Sequence, residues 1–390
     1  MEEKGNRLDG EGRFGMTDAG EGRDIYVATI IDSHNYGTVM QAVATRDVLS
    51  HYGRPLFIDY CRPHWTRTGW VRSYLGRGGN AVANAVKLCA NAPARLKCEG
   101  MFRGFVEREL ALVPSAPFLE GGEFDGSAVY CVGSDQTWNV ECNHGIDPVY
   151  FLSNVPDSCA KIALSASFGR PSLDREEREL TRPLLEGFKA ISVRESSGVS
   201  VLESMGLRGV ALKDPVLLCR PELWEGLASG VPRARDGYVL VYMLNDNPRM
   251  CAYARRVAGE LGLGARVVTF NPLRRAPEGL RGVCLPSPEE WVALFRDAAY
   301  VATDSFHGTC FSLLFEKPFT VFNPPKYSVR LADVLSDFGV DGRRAGDDEP
   351  AGQISVHGEP VEWDAVRSSK ERFRREAACF LDGCLPGEGA

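Results

Sequence analysis

Five clusters of polar residues follow directly on apolar runs, and they hold most of the side chains able to do chemistry. They are Asp32-Ser-His-Asn-Tyr-Gly37, Gly133-Ser-Asp-Gln-Thr-Trp-Asn139, Arg194-Glu195-Ser-Ser-Gly198, Asn245-Asp-Asn-Pro248 and Thr303-Asp-Ser-Phe-His-Gly308. Each stands where a buried strand should end and a helix begin, and open α/β sheets bind ligands beyond the carboxyl ends of their strands. Backbone N–H groups in a first helical turn are unpaired and point at whatever lies above the strand. His307 falls in such a turn, and Arg194 lies at a strand end, well placed to meet an anion. Asn35, Tyr36 and Gly37 form a polar corner after the first strand, without the GxGxxG pattern of a dinucleotide site. Plainer readings stand beside these. Asp304 and Ser305 are helix-capping residue types, His307 could satisfy a backbone carbonyl, and Arg194 could pair with a nearby carboxylate.

The elements that must hold these clusters read as two successive βαβ series. Ile25–Ile31 is a continuous β-branched run of the kind buried in parallel sheets, and a helix through Val39, Ala42, Val43 and Leu49 ends at Gly53. Further strands are expected at Leu56–Tyr60, Ala128–Val132, Lys161–Ser167, Ala190–Val193 and Val210–Leu212. The second series begins with Tyr238–Leu244, a helix around Ala254–Leu261 and a strand at Arg266–Phe270. Ser287-Pro-Glu-Glu290 is a capping box with proline at the first helical position. A strand at Ala298–Ala302 then leads into a buried helix, which Glu316-Lys317-Pro318 stops before a strand at Phe319–Phe322. Val329–Phe338 reads as a helix with Arg330 near its start.

A chain of 390 residues is long for one core and suggests two domains. Residues 1–23, rich in glycine and charge, read as disordered. The first domain is expected over 24–220, a Pro-, Gly- and Arg-rich linker over 221–236, and the second domain over 237–350. An amphipathic helix at 361–385 is expected to cross back to the first. The net charge of −7 argues against nucleic-acid binding. With no bilayer-spanning apolar run and no signal-like start, a cytoplasmic protein is expected. The twelve cysteines are scattered, and Cys131, Cys219 and Cys310 sit in apolar runs as small hydrophobes would. No ligand set stands at metal spacing, so no metal is expected. One segment departs from this picture. Residues 62–108 hold nine Lys or Arg against two acidic residues, interleaved with Trp65, Trp70, Tyr74, Phe102 and Phe105. A solvated helical hairpin with its aromatics packed inward is the favoured reading, and a face turned to a membrane or a lipid-linked substrate is the other.

In order and spacing, Asn35–Gln41, Gly133–Asn139, Ser192-Val-Arg-Glu195, Lys213-Asp-Pro215 and Thr303–Gly308 resemble the motifs of the polysaccharide pyruvyl transferase family, over roughly residues 25–340. The resemblance implies an α/β fold of two Rossmann-like domains facing a cleft, as in GT-B glycosyltransferases. It implies metal-independent transfer of a pyruvyl group from phosphoenolpyruvate, without a cofactor, to a sugar of a cell-surface polysaccharide or its precursor, often as a ketal. Arg194 matches the arginine of the family's Ser-Val-Arg motif, and His307 the histidine of its late motif. Many members read Arg-Leu-His there, whereas this chain reads Ser305-Phe-His307, so one cation is missing. Arg330 or Lys326 is the candidate replacement.

Phosphoenolpyruvate carries a phosphate and a carboxylate, so its site wants arginine, histidine and helix N-termini rather than an acidic metal cage. Ketal formation needs C3 protonated, a sugar hydroxyl deprotonated and phosphate expelled. His307 is the candidate for phosphate contact and proton delivery, and Asp135 or Asp304 for the base. Arg194, Ser305, Asn35, Tyr36, Gly37, Gly133, Ser134, Gln136 and Arg330 are the candidate substrate contacts. The acceptor would be a sugar or lipid-linked glycan met at the inner face of the membrane. In an open, unliganded form Arg194 and His307 are expected on opposite walls of the cleft, about 10 Å or more apart. Two alternatives remain: a nucleotide-sugar glycosyltransferase with Glu316 on the ribose, and a non-catalytic glycan-binding descendant.

Overall fold

The computed structural model describes residues 22–76, 80–271, 275–325 and 328–385. Expectations placed on residues 1–21 and on Lys326 therefore lie outside the described residues. The first sheet comprises β1 (Asp24–Ala28), β2 (Arg54–Asp59), β3 (Leu112–Pro114), β4 (Val129–Val132), β5 (Ala160–Ala166), β6 (Ala190–Val193) and β7 (Val210–Ala211), in spatial order β3-β2-β1-β4-β5-β6-β7. The second comprises β8 (Tyr238–Tyr242), β9 (Gly264–Thr269), β10 (Arg281–Cys284), β11 (Tyr300–Thr303) and β12 (Phe319–Val321), in order β10-β9-β8-β11-β12. All pairings are parallel. The chain is thus α/β, with two doubly wound sheets.

Each sheet grows outward on one side of its first strand and then returns to the other side. The reversals fall between β1 and β4 and between β8 and β11, where diverging connections leave a crevice above the strand ends. Four of the five polar clusters leave those four strands. The fifth, with Arg194, leaves β6.

The central strands form because their side chains are buried on both faces. β4, β8 and β11 have no exposed position. Several strands stop short of the expected span: Ile30 and Ile31 stay buried but have left the β1 ladder. Strands β3 and β10 were not expected. Both are short edge strands, and β10 is largely exposed, so neither shows a buried apolar run.

Residues 221–236 are more than a spacer. They include a helix, Glu222–Leu227, whose buried Trp224 packs edge-on against Phe311 at 4.9 Å. Arg296 fastens the segment by donating to the carbonyls of Ala228 (2.7 Å) and Val231 (3.1 Å). One apolar cluster runs through both sheets, from Ile25 and Val27 to Trp291 and Phe311. At the seam Tyr36 stacks on Trp291 at 5.4 Å, nearly parallel, and donates its hydroxyl to the carbonyl of Pro286 at 2.5 Å. The terminal helix Trp363–Cys384 crosses between the sheets as expected. It begins where Arg367 pairs with Glu316 at 2.5 Å, and it ends where Tyr52 donates to Asp382 (3.0 Å) and Lys189 to the carbonyl of Cys384 (3.3 Å).

Candidate functional site

The site is built around Asp214, the middle residue of Lys213-Asp-Pro215. Pro215 starts a short helix, and Asp214 caps it by accepting from the N–H of Val216 at 3.0 Å. That engages Oδ1. The other oxygen accepts from the Ser134 hydroxyl at 2.9 Å and from Arg194 Nη1 at 2.8 Å, and Nε2 of His307 stands 3.8 Å away. The Asp214 side chain is fully buried.

Arg194 reaches this carboxylate from the end of β6 with its guanidinium buried. Its Nε donates to Glu195 at 3.2 Å, and Ser167 donates to the same Glu195 oxygen at 2.8 Å. Its Nη2 lies 3.7 Å from Asp135 and has no hydrogen-bond partner among the described residues. Burial works against the charge, but Glu195, Asp214 and Asp135 outweigh it and push the pKa up. The sequence reading kept the guanidinium for an anion. A carboxylate partner was the plainer reading: Nε and Nη1 are on carboxylates, while the Nη2 amino group has no hydrogen-bond partner among the described residues.

Asp135 follows β4 in the left-handed region, at φ 75°, which is uncommon for a residue with a side chain and marks over-determined local structure. A register shift in β5 between Ala163 and Ala166 lets Ala166 pair with Asp135, and such bulges re-aim side chains beside functional sites. The carboxylate accepts from the Thr38 hydroxyl at 2.8 Å and from the N–H of Gln136 at 2.9 Å. Burial raises its pKa, but the cations around it, Arg194 foremost, win and hold it below the usual carboxylate value.

His307 comes from the second sheet, at the start of the helix Phe306–Leu314. Its ring lies directly against Gly37 of the first sheet. A Cβ at position 37 would fall 2.0 Å from Nδ1, so only glycine fits there. Burial lowers the His307 pKa more than Asp214 and Asp135 raise it, so the ring is neutral at neutral pH. Its Nε2 has no hydrogen-bond partner among the described residues. Beside it, Phe306 lies under both Arg194 (5.0 Å to the ring centre) and Arg330 (5.9 Å). Arg330 is therefore close to the cluster, and burial together with Arg194 lowers its pKa.

The structure thus brings together Gly37, Ser134, Asp135, Arg194, His307 and Arg330. Thr38, Glu195 and Asp214 join them without having been singled out. Asp214 was visible only as a motif residue before a proline. The expected gap is absent: Arg194 and His307 both approach one oxygen of Asp214, so the sheets are already closed here.

Other candidates have different tasks. Asp304 accepts from the N–H of Leu244 (2.7 Å) and from the N–H and side-chain amide of Asn245 (both 3.0 Å), which ties the turns after β8 and β11 together. Both of its oxygens are thus engaged within its own sheet. Ser305 is the helix cap, accepting from the N–H of Gly308 at 3.2 Å. Asn35 caps the helix Tyr36–Leu49 through the N–H of Gly37, and Tyr36 is an inter-sheet packing residue. Gln136 accepts from Asn139 at 2.6 Å, and Gly133 allows close approach to Thr29. Glu316, paired with Arg367 and Lys370, anchors the terminal helix instead of reaching a ribose.

Comparison with known proteins yields distant structural likenesses. A UDP-GlcNAc 2-epimerase from Neisseria meningitidis bound to UDP-GlcNAc is 10% identical over 91% of this chain and 94% of that one, with a TM-score of 0.45. A UDP-glucosyltransferase from Polygonum tinctorium is 13% identical over 93% and 97%, with a TM-score of 0.40. An O-GlcNAc transferase mutant from Thermobaculum terrenum is 10% identical over 93% of this chain, which spans 65% of that longer protein, with a TM-score of 0.42. No curated protein matches the sequence. The family model for polysaccharide pyruvyl transferases matches residues 35–325, a stretch that holds Gly37, Asp135, Arg194, Asp214 and His307, and the chain belongs to that family.

Proposed function

We propose that this protein transfers the pyruvyl group of phosphoenolpyruvate to two hydroxyls of a sugar in a cell-surface polysaccharide or its precursor, forming a ketal and releasing phosphate. Family membership supports the reading, and one observation carries it. Two buried nitrogens without hydrogen-bond partners among the described residues, Arg194 Nη2 beside Asp135 and His307 Nε2 beside Asp214, lie at the seam of the sheets. Buried polar nitrogens are ordinarily satisfied, so an unpartnered guanidinium N–H group next to an imidazole that can take up a proton suits an anionic ligand.

In this reading the donor's negative charge is met by Arg194, Arg330 and His307, and no metal is needed. A phosphate beside His307 adds to the negative potential of Asp214 and Asp135, so donor binding draws a proton onto Nε2. Asp135, held ionised, accepts the proton of the attacking hydroxyl. The first hydroxyl attacks C2 as C3 takes a proton, and the second displaces phosphate. The two hydroxyl protons end on C3 and on the departing phosphate.

The test is acceptor-dependent phosphate release from phosphoenolpyruvate, with the ketal methyl followed by NMR. Binding of a UDP-sugar with no response to phosphoenolpyruvate overturns the reading. A second reading, a glycan-binding descendant, is favoured by the engagement of Arg194 with Asp214 and Glu195. In that case an acceptor glycan raises the melting temperature and phosphoenolpyruvate does not.

A further inference from the structure

Residues 62–108 hold nine of the chain's 45 basic residues but only two of its 52 acidic ones. The segment thus carries +7 by sequence in a chain whose total is −7, and pairing of Arg62, Arg103 and Arg108 with Asp32, Asp59 and Glu289 outside it leaves a net +4. It folds as a hairpin in which the helix Arg67–Leu75 packs on the helix Ala81–Glu109. Two of the five aromatics turn fully inward, and Trp65, Trp70 and Tyr74 are half-buried. Phe102 and Phe105 are buried, and Arg95 lies over Trp65 at 5.5 Å and over Trp70 at 4.9 Å.

The outward face is aliphatic. Val82, Val86 and Leu96 are 71%, 63% and 50% exposed, and Cys89 and Pro93 between them are exposed too. Steps of four and three residues keep these five positions within about 80° of the helix surface. Exposed Lys97 borders the stripe, exposed Lys87 lies farther round the same side of the helix, and Arg72 is exposed on the neighbouring helix. A lone exposed valine needs no explanation, but a continuous exposed apolar stripe does.

We infer that this face docks on an anionic membrane surface, with the helix Ala81–Glu109 lying in the interfacial plane. The charge asymmetry selects the occupant. An anionic lipid surface attracts a basic patch on an otherwise acidic protein, and the apolar stripe can bury among the acyl chains. No described helix is long and apolar enough to cross a membrane, so the contact is peripheral. The base of the hairpin touches the site: Phe102 packs on Tyr36 at 5.0 Å and on His34 at 5.9 Å, in the turn that meets His307 at Gly37. Docking would hold the seam close to a membrane-tethered acceptor. The binding itself rests on the hairpin alone and stands or falls apart from the transferase reading.

The test is co-sedimentation of the full chain with phosphatidylcholine vesicles containing about 30 mol% phosphatidylglycerol. The protein should pellet with them, less so as salt is raised, and stay in solution with pure phosphatidylcholine. The triple variant Val82→Ser, Val86→Ser, Leu96→Ser alters exposed positions only. It should keep its melting temperature while vesicle affinity falls at least about tenfold. Lys87→Gln and Lys97→Gln should each cost about fivefold. Undiminished binding of the triple variant, or equal binding to neutral vesicles, overturns the inference. So does a dimer that dissociates in the triple variant, because the stripe then belongs to a second copy.

Discussion

Both sheet reversals end in an aspartate, and the two residues have opposite surroundings. Asp304, after β11, is filled by N–H groups of its own sheet, which hold two turns together. Asp135, after β4, accepts from Thr38 and Gln136 but also faces Arg194, whose Nη2 has no hydrogen-bond partner among the described residues. The same side chain at the same kind of place ties turns together in one sheet and, in the proposed reading, does chemistry in the other. What separates them is whether the balancing groups can be shared with a ligand. Backbone N–H groups inside a turn cannot be. A guanidinium and an imidazole at a seam can.

That contrast is open to attack by substitution. Arg194→Ala should have the largest effect, because Asp135, Glu195 and Asp214 would stay buried without their shared cation. Breaking a buried pair from one side costs about 3–5 kcal/mol, which urea unfolding would measure, and donor binding should vanish with it. Asp135→Asn should reduce turnover by about 10²–10⁴-fold in a protein that still folds. Asp304→Ala should show the reverse pattern. It leaves the N–H groups of Leu244 and Asn245 unpaired, costs about 1–3 kcal/mol in stability, and leaves donor affinity per folded molecule unchanged. If Asp304→Ala lost turnover and Asp135→Asn lost only stability, the two assignments would be exchanged.

A further expected effect is on acid stability. Burial, with help from Arg95, lowers the pKa of His34 from 6.5 to about 4. Burial, with help from Arg62, lowers that of His64 to about 4 as well. Between pH 6.5 and 4 the unfolded chain therefore binds more protons than the folded one, and stability falls as the pH drops through that window. Asp135, with its lowered pKa, loses its contribution only at more acid pH. His34→Phe should flatten the first part of the curve in a melting-temperature series and leave the second part alone.

Much of this was legible in the residues. Strands such as β4, β8 and β11 are buried on both faces and announce themselves as apolar runs, and the polar clusters after them mark the crevices. Strands β3 and β10 carry no such signal. Residue type could not separate a cap from a ligand contact: Asn35, Ser305 and Asp304 have the right chemistry for both, and only hydrogen-bond partners decide. Asp214 read as a turn before proline because its three long-range partners, Ser134, Arg194 and His307, are brought in by tertiary contacts. The closed seam was equally hidden, since it depends on Gly37 admitting the His307 ring and on Tyr36 stacking on Trp291.

The most direct test of the account is calorimetric titration of phosphoenolpyruvate into the EDTA-treated protein near neutral pH, repeated in buffers of different ionisation heat. The account predicts binding without added metal, coupled to uptake of about one proton that disappears in His307→Gln. Binding with no proton uptake, or no binding until magnesium or manganese is supplied, would contradict it.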